Sequence, residues 1–250
     1  MKALITGASS GLGRDMAREL AARGYDLILV ARREERLRLL AAELPVRTEI
    51  ICADLADAGA VYDLYARVRG EDVAAVVNNA GFGLFGAFSE TDLDAELRML
   101  DVNCRAVHIL TKLFLRDFKA QNRGCILNVA SSAGFMAGPL MATYYATKNY
   151  VLRLTQAIRE ELRQAGSAVK VSALCPGPVN TEFNQVAHVR FAIRGLDSRR
   201  VAAYAVDGML RGRGVMVPGA EMKAVLALRR FAPETLVTRI AYHIQHRKNG

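Results

Sequence analysis

The sequence has no apolar run of the roughly 18 to 20 residues that a transmembrane helix requires. It also lacks a signal-peptide pattern, because the chain enters an apolar strand directly at residues 3–5. These two absences argue against an integral membrane protein and an exported one. We therefore expect a cytoplasmic protein.

Cysteine and proline are both sparse. The four cysteines form no CxxC pair, and three lie in strand-like apolar contexts, which favours buried free thiols over disulfides or a metal site. They are Cys52, Cys104, Cys125 and Cys175. Six prolines, with no repeat and no low-complexity segment, leave no obvious linker, so residues 1–250 are predicted to form a single domain. No His/Cys/Asp cluster points to a metal, and we expect none.

The net charge of +9 is unevenly distributed. Residues 1–185 hold 22 Lys and Arg against 21 Asp and Glu, whereas residues 186–250 hold 12 against 4. The basic residues are dispersed and no nucleic-acid motif accompanies them, so nucleic acid is not a predicted partner. A solvated basic face is the default interpretation, and an anionic substrate or an acidic lipid surface is the alternative.

Strand-like and helix-like segments alternate along the chain. Apolar runs at residues 2–6, 25–31, 46–53 and 73–77 are separated by helical patterns, and two further runs follow at 125–130 and 169–174. This alternation predicts an α/β fold, a Rossmann-type doubly wound parallel sheet with helices on both faces. Ligands of such sheets bind at the carboxyl ends of the strands.

A glycine-rich turn, TGASSGLG, links the first strand to a helical pattern at residues 14–23. Glycines let a phosphate approach the backbone, and a helix N-terminus adds partial positive charge. The spacing of Gly7, Gly11 and Gly13 is GxxxGxG rather than the common GxGxxG. The turn predicts a dinucleotide site, although glycine turns also merely close βα units.

The second strand ends in Arg32 and Arg33, where an NAD-binding fold generally carries an acidic residue. Arginine there suits a 2′-phosphate, so NADP(H) is the predicted cofactor and NAD(H) the less favoured one. An ordinary basic helix start is the alternative, although a cation there opposes the helix dipole. The third strand ends at Asp54 and Leu55, where a carboxylate could meet an adenine amino group.

Three polar residues suggest catalysis. Tyr144 and Lys148 are four residues apart in a helical segment, so they share a face, and a nearby cation favours the phenolate. Alone, this spacing also fits a buried tyrosine beside a surface lysine. Asn103 lies inside a helical stretch at residues 91–118, where asparagine is unfavourable, so it is either functional or bonded to a bend.

Over residues 2–183 the sequence resembles the short-chain dehydrogenase/reductase family. The matching motifs are TGASSGLG at 6–13, NNAG at 78–81, the asparagine of DVN at 101–103, SS at 131–132, YYATK at 144–148 and PGPVNT at 176–181. Each is weak alone, but their order and spacing are specific. The basic tail after this core resembles a bacterial subgroup of the family.

The resemblance implies a proton relay. Tyr144 would be the general acid/base, and Lys148 would lower its pKa and hold the nicotinamide ribose. Ser131, thirteen residues before the tyrosine, would polarise the substrate oxygen, and Asn103 would anchor a water. Ser132 falls out of that spacing and receives no catalytic role.

The resemblance also implies cofactor contacts and an oligomer. The pyrophosphate and adenosine would lie on Gly7, Ser9, Ser10, Gly11, Leu12 and Gly13, and the adenosine ribose on Asn79, Ala80 and Gly81. The loop formed by Pro176, Gly177, Val179 and Thr181 would meet the nicotinamide. A homodimer or homotetramer is expected.

Past residue 183 the family pattern thins. Residues 182–196 suit a flap over an apolar substrate or a plain helix equally well, and residues 211–219 predict a turn and a last strand. Two helices follow, from residues 221 and 233. Their amphipathic, basic pattern is typical of packing on the body or on a partner subunit, with membrane-surface contact as the alternative.

The expected function is NADP(H)-dependent interconversion of a carbonyl and an alcohol on an apolar small molecule. Aromatic residues and methionines at 82–85 and 135–141 favour an apolar pocket. A 3-oxoacyl thioester is an alternative substrate. A non-catalytic dinucleotide sensor or scaffold is the alternative class, although such a protein would be expected to have lost Ser131, Tyr144 or Lys148.

Overall fold

The computed structural model describes residues 1–183 and 195–249. Within them, seven parallel strands form one sheet in the order β3-β2-β1-β4-β5-β6-β7. In chain order the strands are β1 Lys2–Thr6, β2 Asp26–Ala31, β3 Thr48–Cys52, β4 Val73–Asn78, β5 Cys125–Val129, β6 Lys170–Leu174 and β7 Val215–Met216. The predicted doubly wound parallel sheet is confirmed, including the last strand.

Helices cover both faces of the sheet. They are α1 Gly11–Ala21, α2 Glu34–Glu43, α3 Ala58–Val68, α4 Leu93–Leu100, α5 Val107–Gln121, α6 Ala142–Gln164, α7 Ser198–Leu210, α8 Ala220–Arg229 and α9 Glu234–Asn249. Helices α1, α2 and α7 pack in one apolar core, while α3, α5 and α6 pack in the other. The central strands are apolar on both sides because both sides are covered.

The strand order reverses beside β1, and this reversal opens the crevice that holds the site. The chain builds β2 and β3 outward on one side and then returns with β4 on the other. Thr6, at the end of β1, joins the two halves because its hydroxyl accepts hydrogen bonds from the backbone N–H of Asn79 and Ala80, both at 3.0 Å.

The long helix predicted at residues 91–118 contains a wider π-helical turn, Asp101–Ala106, between α4 and α5. Asn103 lies in this turn and its amide bonds outside the helix, to the backbone of Phe82 and to Thr147. An inserted π turn is a common feature of functional sites. Of the two interpretations of Asn103, the structure agrees with an asparagine bonded at a bend in the helix, and its functional role stays a prediction.

Other expectations from the sequence meet mixed outcomes. All four cysteines are free, but Cys52 is exposed at the edge strand β3, so the expectation of buried thiols is wrong for it. The flap predicted at residues 182–196 lies largely outside the described residues. In the described part of the chain, no helix is long and apolar enough to cross a membrane.

Candidate active site

A cavity of about 560 Å³ lies at the carboxyl ends of β1, β4, β5 and β6. Almost every residue predicted for cofactor or substrate lines it: Gly7, Ser9, Ser10, Gly11, Leu12, Arg32, Arg33, Asp54, Leu55, Asn79, Ala80, Gly81, Ser131, Tyr144, Lys148, Pro176, Gly177, Val179 and Thr181. Two predicted residues, Gly13 and Asn103, lie behind the wall. The tertiary structure thus gathers segments that are far apart in the chain.

The glycine turn is tight enough to require its glycines. Gly7 has a φ of +66°, and a Cβ there would lie 2.8 Å from the side-chain nitrogen of Asn79. A Cβ on Gly13 would overlap the carbonyl oxygen of Gly7, which explains why Gly13 supports the turn from behind. Gly11 has a φ of +52° and lies against Thr181, across the crevice.

The N-terminus of α1 is suited to an anion. Ser10 occupies the N-cap position but makes no side-chain capping bond, and the first turn contains no acidic residue. The first N–H groups of a helix have no intrahelical partners and carry partial positive charge. Gly11 and Leu12 bring this end of α1 to the cavity, and the observed cradle therefore fits the pyrophosphate of a dinucleotide.

Arginines at the end of β2 extend this positive region. Arg33 donates hydrogen bonds to the hydroxyls of Ser9, at 3.3 Å, and Ser10, at 3.1 Å. Arg33 and Arg36 also hold the carboxylate of Glu182, at 3.3 and 2.7 Å. The Arg36 hydrogen bond is the main reason that the pKa of Glu182 lies below its ordinary value. Sequence reasoning missed this glutamate, which follows the PGPVNT motif directly.

Asp54 is held in place at the end of β3. Burial raises the pKa of Asp54, but a hydrogen bond from the Ala56 N–H, at 3.1 Å, and the guanidinium of Arg98 outweigh it, and the pKa is lowered. The carboxylate is therefore ionised at neutral pH and fixed in direction. Leu55 beside it is buried and presents an apolar surface to the cavity.

Ser131 and Tyr144 both line the cavity, and the Ser131 hydroxyl influences the pKa of the phenol. Ser131 precedes a short 3₁₀ helix, Ser132–Phe135, and its hydroxyl accepts the Ala133 N–H at 3.1 Å. Burial raises the pKa of the Tyr144 hydroxyl, and the hydrogen bond with Ser131 acts in the opposite direction. At neutral pH the phenol is therefore protonated and able to donate.

Lys148 lies buried one helical turn beyond Tyr144. Its ammonium donates to the carbonyl oxygen of Val129 at 3.0 Å and lies 5.8 Å from the centroid of the tyrosine ring. Burial lowers the pKa of Lys148 to about 8. Burial of the phenol is the largest influence on the pKa of Tyr144 and raises it, so the expected lowering of that pKa by Lys148 stays a prediction.

Asn103 positions the loop beneath the cavity. Its amide oxygen accepts the Phe82 N–H at 3.1 Å, and its amide nitrogen donates to the Phe82 carbonyl at 2.9 Å and to Thr147 at 3.1 Å. A Cβ on Gly81 would lie 2.9 Å from the Asn103 oxygen and 3.3 Å from Lys148 Nζ. Glycine at 81 therefore allows this close approach.

The cavity wall also contains side chains beyond the cofactor and catalytic candidates. Phe82, Met136 and Met141 lie in the two segments from which the sequence predicts an apolar pocket, and Phe183 lies in the predicted flap. The sequence assigned no site role to the other residues of this wall: Tyr145, Met222, Val225, Ala241, Ile244 and Gln245. The three- and four-residue spacings of the apolar residues in α8 and α9 were visible in the sequence, but not what those helices cover.

The fold and these motifs agree with a comparison to known families. A model of the family described as short chain dehydrogenase matches residues 1–189. The chain belongs to this family. Among the described residues, no group of three or more His, Cys, Asp or Glu could hold a metal ion.

Two curated relatives show the range of activities around this member of the short-chain dehydrogenases. The 7β-hydroxysteroid dehydrogenase of Collinsella aerofaciens is 32% identical over 175 residues, 68% of this chain and 66% of the relative. The very-long-chain 3-oxoacyl-CoA reductase of Anas platyrhynchos is 30% identical over 200 residues, 76% of this chain and 63% of the relative. The matches thus span slightly under two thirds of both relatives.

Solved structures of the family extend the match further. A short-chain dehydrogenase from Sphingobium yanoikuyae in complex with NADPH superposes with a TM-score of 0.82 at 31% identity, covering 92% of this chain and 93% of that one. A relative from Burkholderia phymatum in complex with NAD gives 0.81 at 27% identity, covering 91% and 92%. Relatives of this chain therefore bind either dinucleotide.

The buried lysine predicts a distinct pH dependence of stability. The pKa of Lys148 is about 8 in the folded protein, against an ordinary value of 10.5. Between these pH values the unfolded chain holds a proton that the folded protein has lost, so the free energy of unfolding rises with pH. Between these two pH values the free energy of unfolding of the wild type, measured by urea titration, should rise by about 3 kcal/mol relative to that of Lys148→Met. If the unfolding free energies of the two proteins change in parallel with pH, the pKa of Lys148 in the folded protein is ordinary.

Proposed function

We propose that this short-chain dehydrogenase is an NADP(H)-dependent oxidoreductase that interconverts a carbonyl and an alcohol on an apolar small molecule. One observation carries the proposal. Ser131, Tyr144 and the buried Lys148 line the same cavity as the uncapped N-terminus of α1. This arrangement combines a dinucleotide cradle with a proton donor.

Tyr144 and Ser131 account for the proton transfer. When bound, a nicotinamide dinucleotide supplies the hydride that reaches the carbonyl carbon. Tyr144 donates its hydroxyl proton to the carbonyl oxygen as negative charge develops there, and the Ser131 hydroxyl donates a hydrogen bond to the same oxygen. In the oxidation direction the phenolate takes that proton back from the alcohol.

Lys148 supports the phenolate that remains after proton donation. Its pKa of about 8 keeps it protonated at neutral pH while leaving it able to exchange a proton. A cation one helical turn away stabilises the phenolate. We assign Lys148 the ribose contacts as well, and Asn103 the water relay, in which it also holds the loop at Phe82.

The cofactor proposal is supported by charge at the end of β2. Arg32 and Arg33 line the cavity there, with Ser9 and Ser10 beside Arg33. A guanidinium and two hydroxyls suit a 2′-phosphate, and the two residues directly after this strand are arginines, with Glu34 and Glu35 following only in α2. NAD(H) is the less favoured cofactor.

The substrate proposal is supported by the apolar part of the cavity wall. Its side chains are mostly aromatic, aliphatic or methionine: Phe82, Met141, Tyr145, Phe183, Met222, Val225 and Ile244. A steroid- or lipid-type carbonyl suits this wall. A 3-oxoacyl thioester is the second candidate, favoured by the similarity to a very-long-chain 3-oxoacyl-CoA reductase.

We further propose that the chain acts as a single cytoplasmic domain in a homodimer or homotetramer. Four free cysteines suit a reducing compartment. The exposed side chains of Leu93, Leu97 and Tyr150, on α4 and α6, offer an apolar surface to a second copy. A dinucleotide sensor is the competing class, and turnover distinguishes it.

A carbonyl panel with both cofactors tests the function. Purified protein should oxidise NADPH with apolar ketones such as steroids and long-chain 2-ketones, and more slowly with NADH, measured at 340 nm absorbance in the presence of each carbonyl. Thioesters of 3-oxo acids form the second arm. Tight NADPH binding without turnover of any carbonyl would favour the sensor instead.

A further inference from the structure

The C-terminal helical pair, α8 and α9, buries no side chain on the body of the protein. Every side chain described at residues 220–246 is exposed or partly exposed. Leu228 is 70% exposed, and Phe231, in the turn between the two helices, is 89% exposed. A large apolar surface of this kind marks an interaction site.

The exposed apolar residues follow helical spacing. Leu236, Ile240 and Ile244 are four residues apart on α9, so they form one stripe, and all three are exposed. Leu228 and Phe231 continue the apolar surface at the turn. The pair is thus an amphipathic hairpin whose turn and stripe lack cover among the described residues.

Basic side chains border this surface. Lys223, Arg230 and Arg239 are exposed, and no ion pair joins Arg230 or Arg239 to an acidic group within residues 1–183 and 195–249. The acidic side chains at 220–246 are Glu221 and Glu234, and Glu234 is already paired with Arg229 at 2.6 Å. The hairpin therefore presents a positive apolar surface.

The same helices form part of the cavity. Val225 and Ile244 line the cavity and are also 45% and 46% exposed, so the apolar cavity wall continues onto the surface of the hairpin. Met222 and Ala241 line the cavity from the same two helices. The cavity that Tyr144 lines is thus bounded in part by side chains of the C-terminal helices that are also partly exposed.

We propose that the C-terminal helical pair docks on an anionic membrane surface and admits apolar substrate to the cavity from the bilayer. Docking combines burial of Leu228, Phe231 and the α9 stripe with attraction of the arginines to acidic headgroups. A second copy fits less well, because a two-fold contact would place this positive surface against the same positive surface of the partner. Delivery of substrate rests on the function proposed above.

Vesicle co-sedimentation of the full chain tests the docking. The wild type should sediment with phosphatidylglycerol–phosphatidylcholine vesicles at low salt, less at high salt, and little with pure phosphatidylcholine. Leu228→Ser/Phe231→Ser should abolish binding. Arg230→Gln/Arg239→Gln should weaken it roughly fivefold for each arginine. Phe88→Ser, which alters a residue 69% exposed elsewhere, is the matched control and should bind as the wild type does.

Three outcomes would overturn the docking proposal. The first is that the wild type does not sediment with anionic vesicles, and the second is that Leu228→Ser/Phe231→Ser sediments as much as the wild type does. The third is that the wild type is an oligomer that binds no vesicles and that dissociates in this serine variant. If the serine variant fails to fold, the glutamine variant decides, because it changes exposed arginines without removing apolar contacts. These measurements need no substrate, so they remain decisive if no carbonyl is reduced.

Delivery is tested separately by kinetics. When a long-chain ketone is dissolved in anionic vesicles, the wild type should reduce it with NADPH faster than it does without vesicles. The Leu228→Ser/Phe231→Ser variant should show no such increase in rate. Reduction of a short water-soluble ketone should be equal in both proteins. Equal rates with the long-chain ketone would overturn delivery from the bilayer, whereas failure with every ketone would overturn the proposed function itself.

Discussion

Replacing Tyr144 by phenylalanine is expected to lower the rate of carbonyl reduction about a thousandfold, the typical contribution of a positioned general acid. The change removes only the hydroxyl oxygen. Because the tyrosine ring packs against Phe183 and the apolar cluster around Met141, the phenylalanine should keep those contacts. NADPH affinity should stay within a few-fold of the wild type, as measured by fluorescence titration.

Tyr145 supplies a matched control for this substitution. It neighbours Tyr144 in α6 and lines the same cavity, but its hydroxyl accepts a hydrogen bond from Gln245 at 3.1 Å. Tyr145→Phe should therefore retain most of the activity. If Tyr144→Phe is folded by circular dichroism and still turns over at the wild-type rate, the assigned proton donor is wrong. Equal losses in both variants would indicate a shared packing effect.

Replacing Arg33 by alanine should weaken NADPH binding tenfold to a hundredfold and leave NADH binding within about threefold, since a charge-assisted contact to phosphate is worth roughly 1.5–3 kcal/mol. Arg32→Ala should act in the same direction. Dissociation constants for both cofactors, measured by isothermal titration, give the ratio directly. An equal loss for NADPH and NADH would refute the assignment of a 2′-phosphate site.

Replacing Glu182, which contacts Arg33, should change NADPH affinity in the opposite direction. Its carboxylate is paired with Arg33 and Arg36, so it competes with any phosphate for those guanidinium groups. Glu182→Gln keeps the shape of the side chain and removes the charge. It should tighten NADPH binding a few-fold while NADH is unaffected. Weaker NADPH binding in this variant would show that Glu182 supports the site instead.

Local patterns predicted much of the site because each part has a local physical requirement. Gly7 and Gly11 adopt left-handed backbone angles, and a Cβ on Gly13 would overlap the carbonyl oxygen of Gly7. Because only glycine meets these requirements, the sequence pattern predicts the turn. The four-residue spacing of Tyr144 and Lys148 places both on one face of α6 regardless of what surrounds them. The poor helix propensity of Asn103 marked it as either functional or bonded to a bend, whereas the π turn itself was not predicted.

Other features depend on contacts between distant segments. The pairing of Arg33 with Glu182 joins residues 149 positions apart, and neither residue is unusual in its own segment. The pKa of Tyr144 was predicted from its lysine neighbour alone, but burial by the surrounding chain decides its direction. Desolvation depends on every neighbour in space, and a sequence pattern contains only those nearby in the chain.

The sequence by itself determined the parallel α/β fold and the glycine cradle at the first turn, because periodicity and backbone geometry act over a few residues. The catalytic candidates came from the resemblance to a family, carried by the order and spacing of its motifs. Only the tertiary structure decided that α8 and α9 cover one side of the cavity while burying nothing. An amphipathic pattern states that a helix has an apolar face. What that face meets depends on the packing of the whole chain.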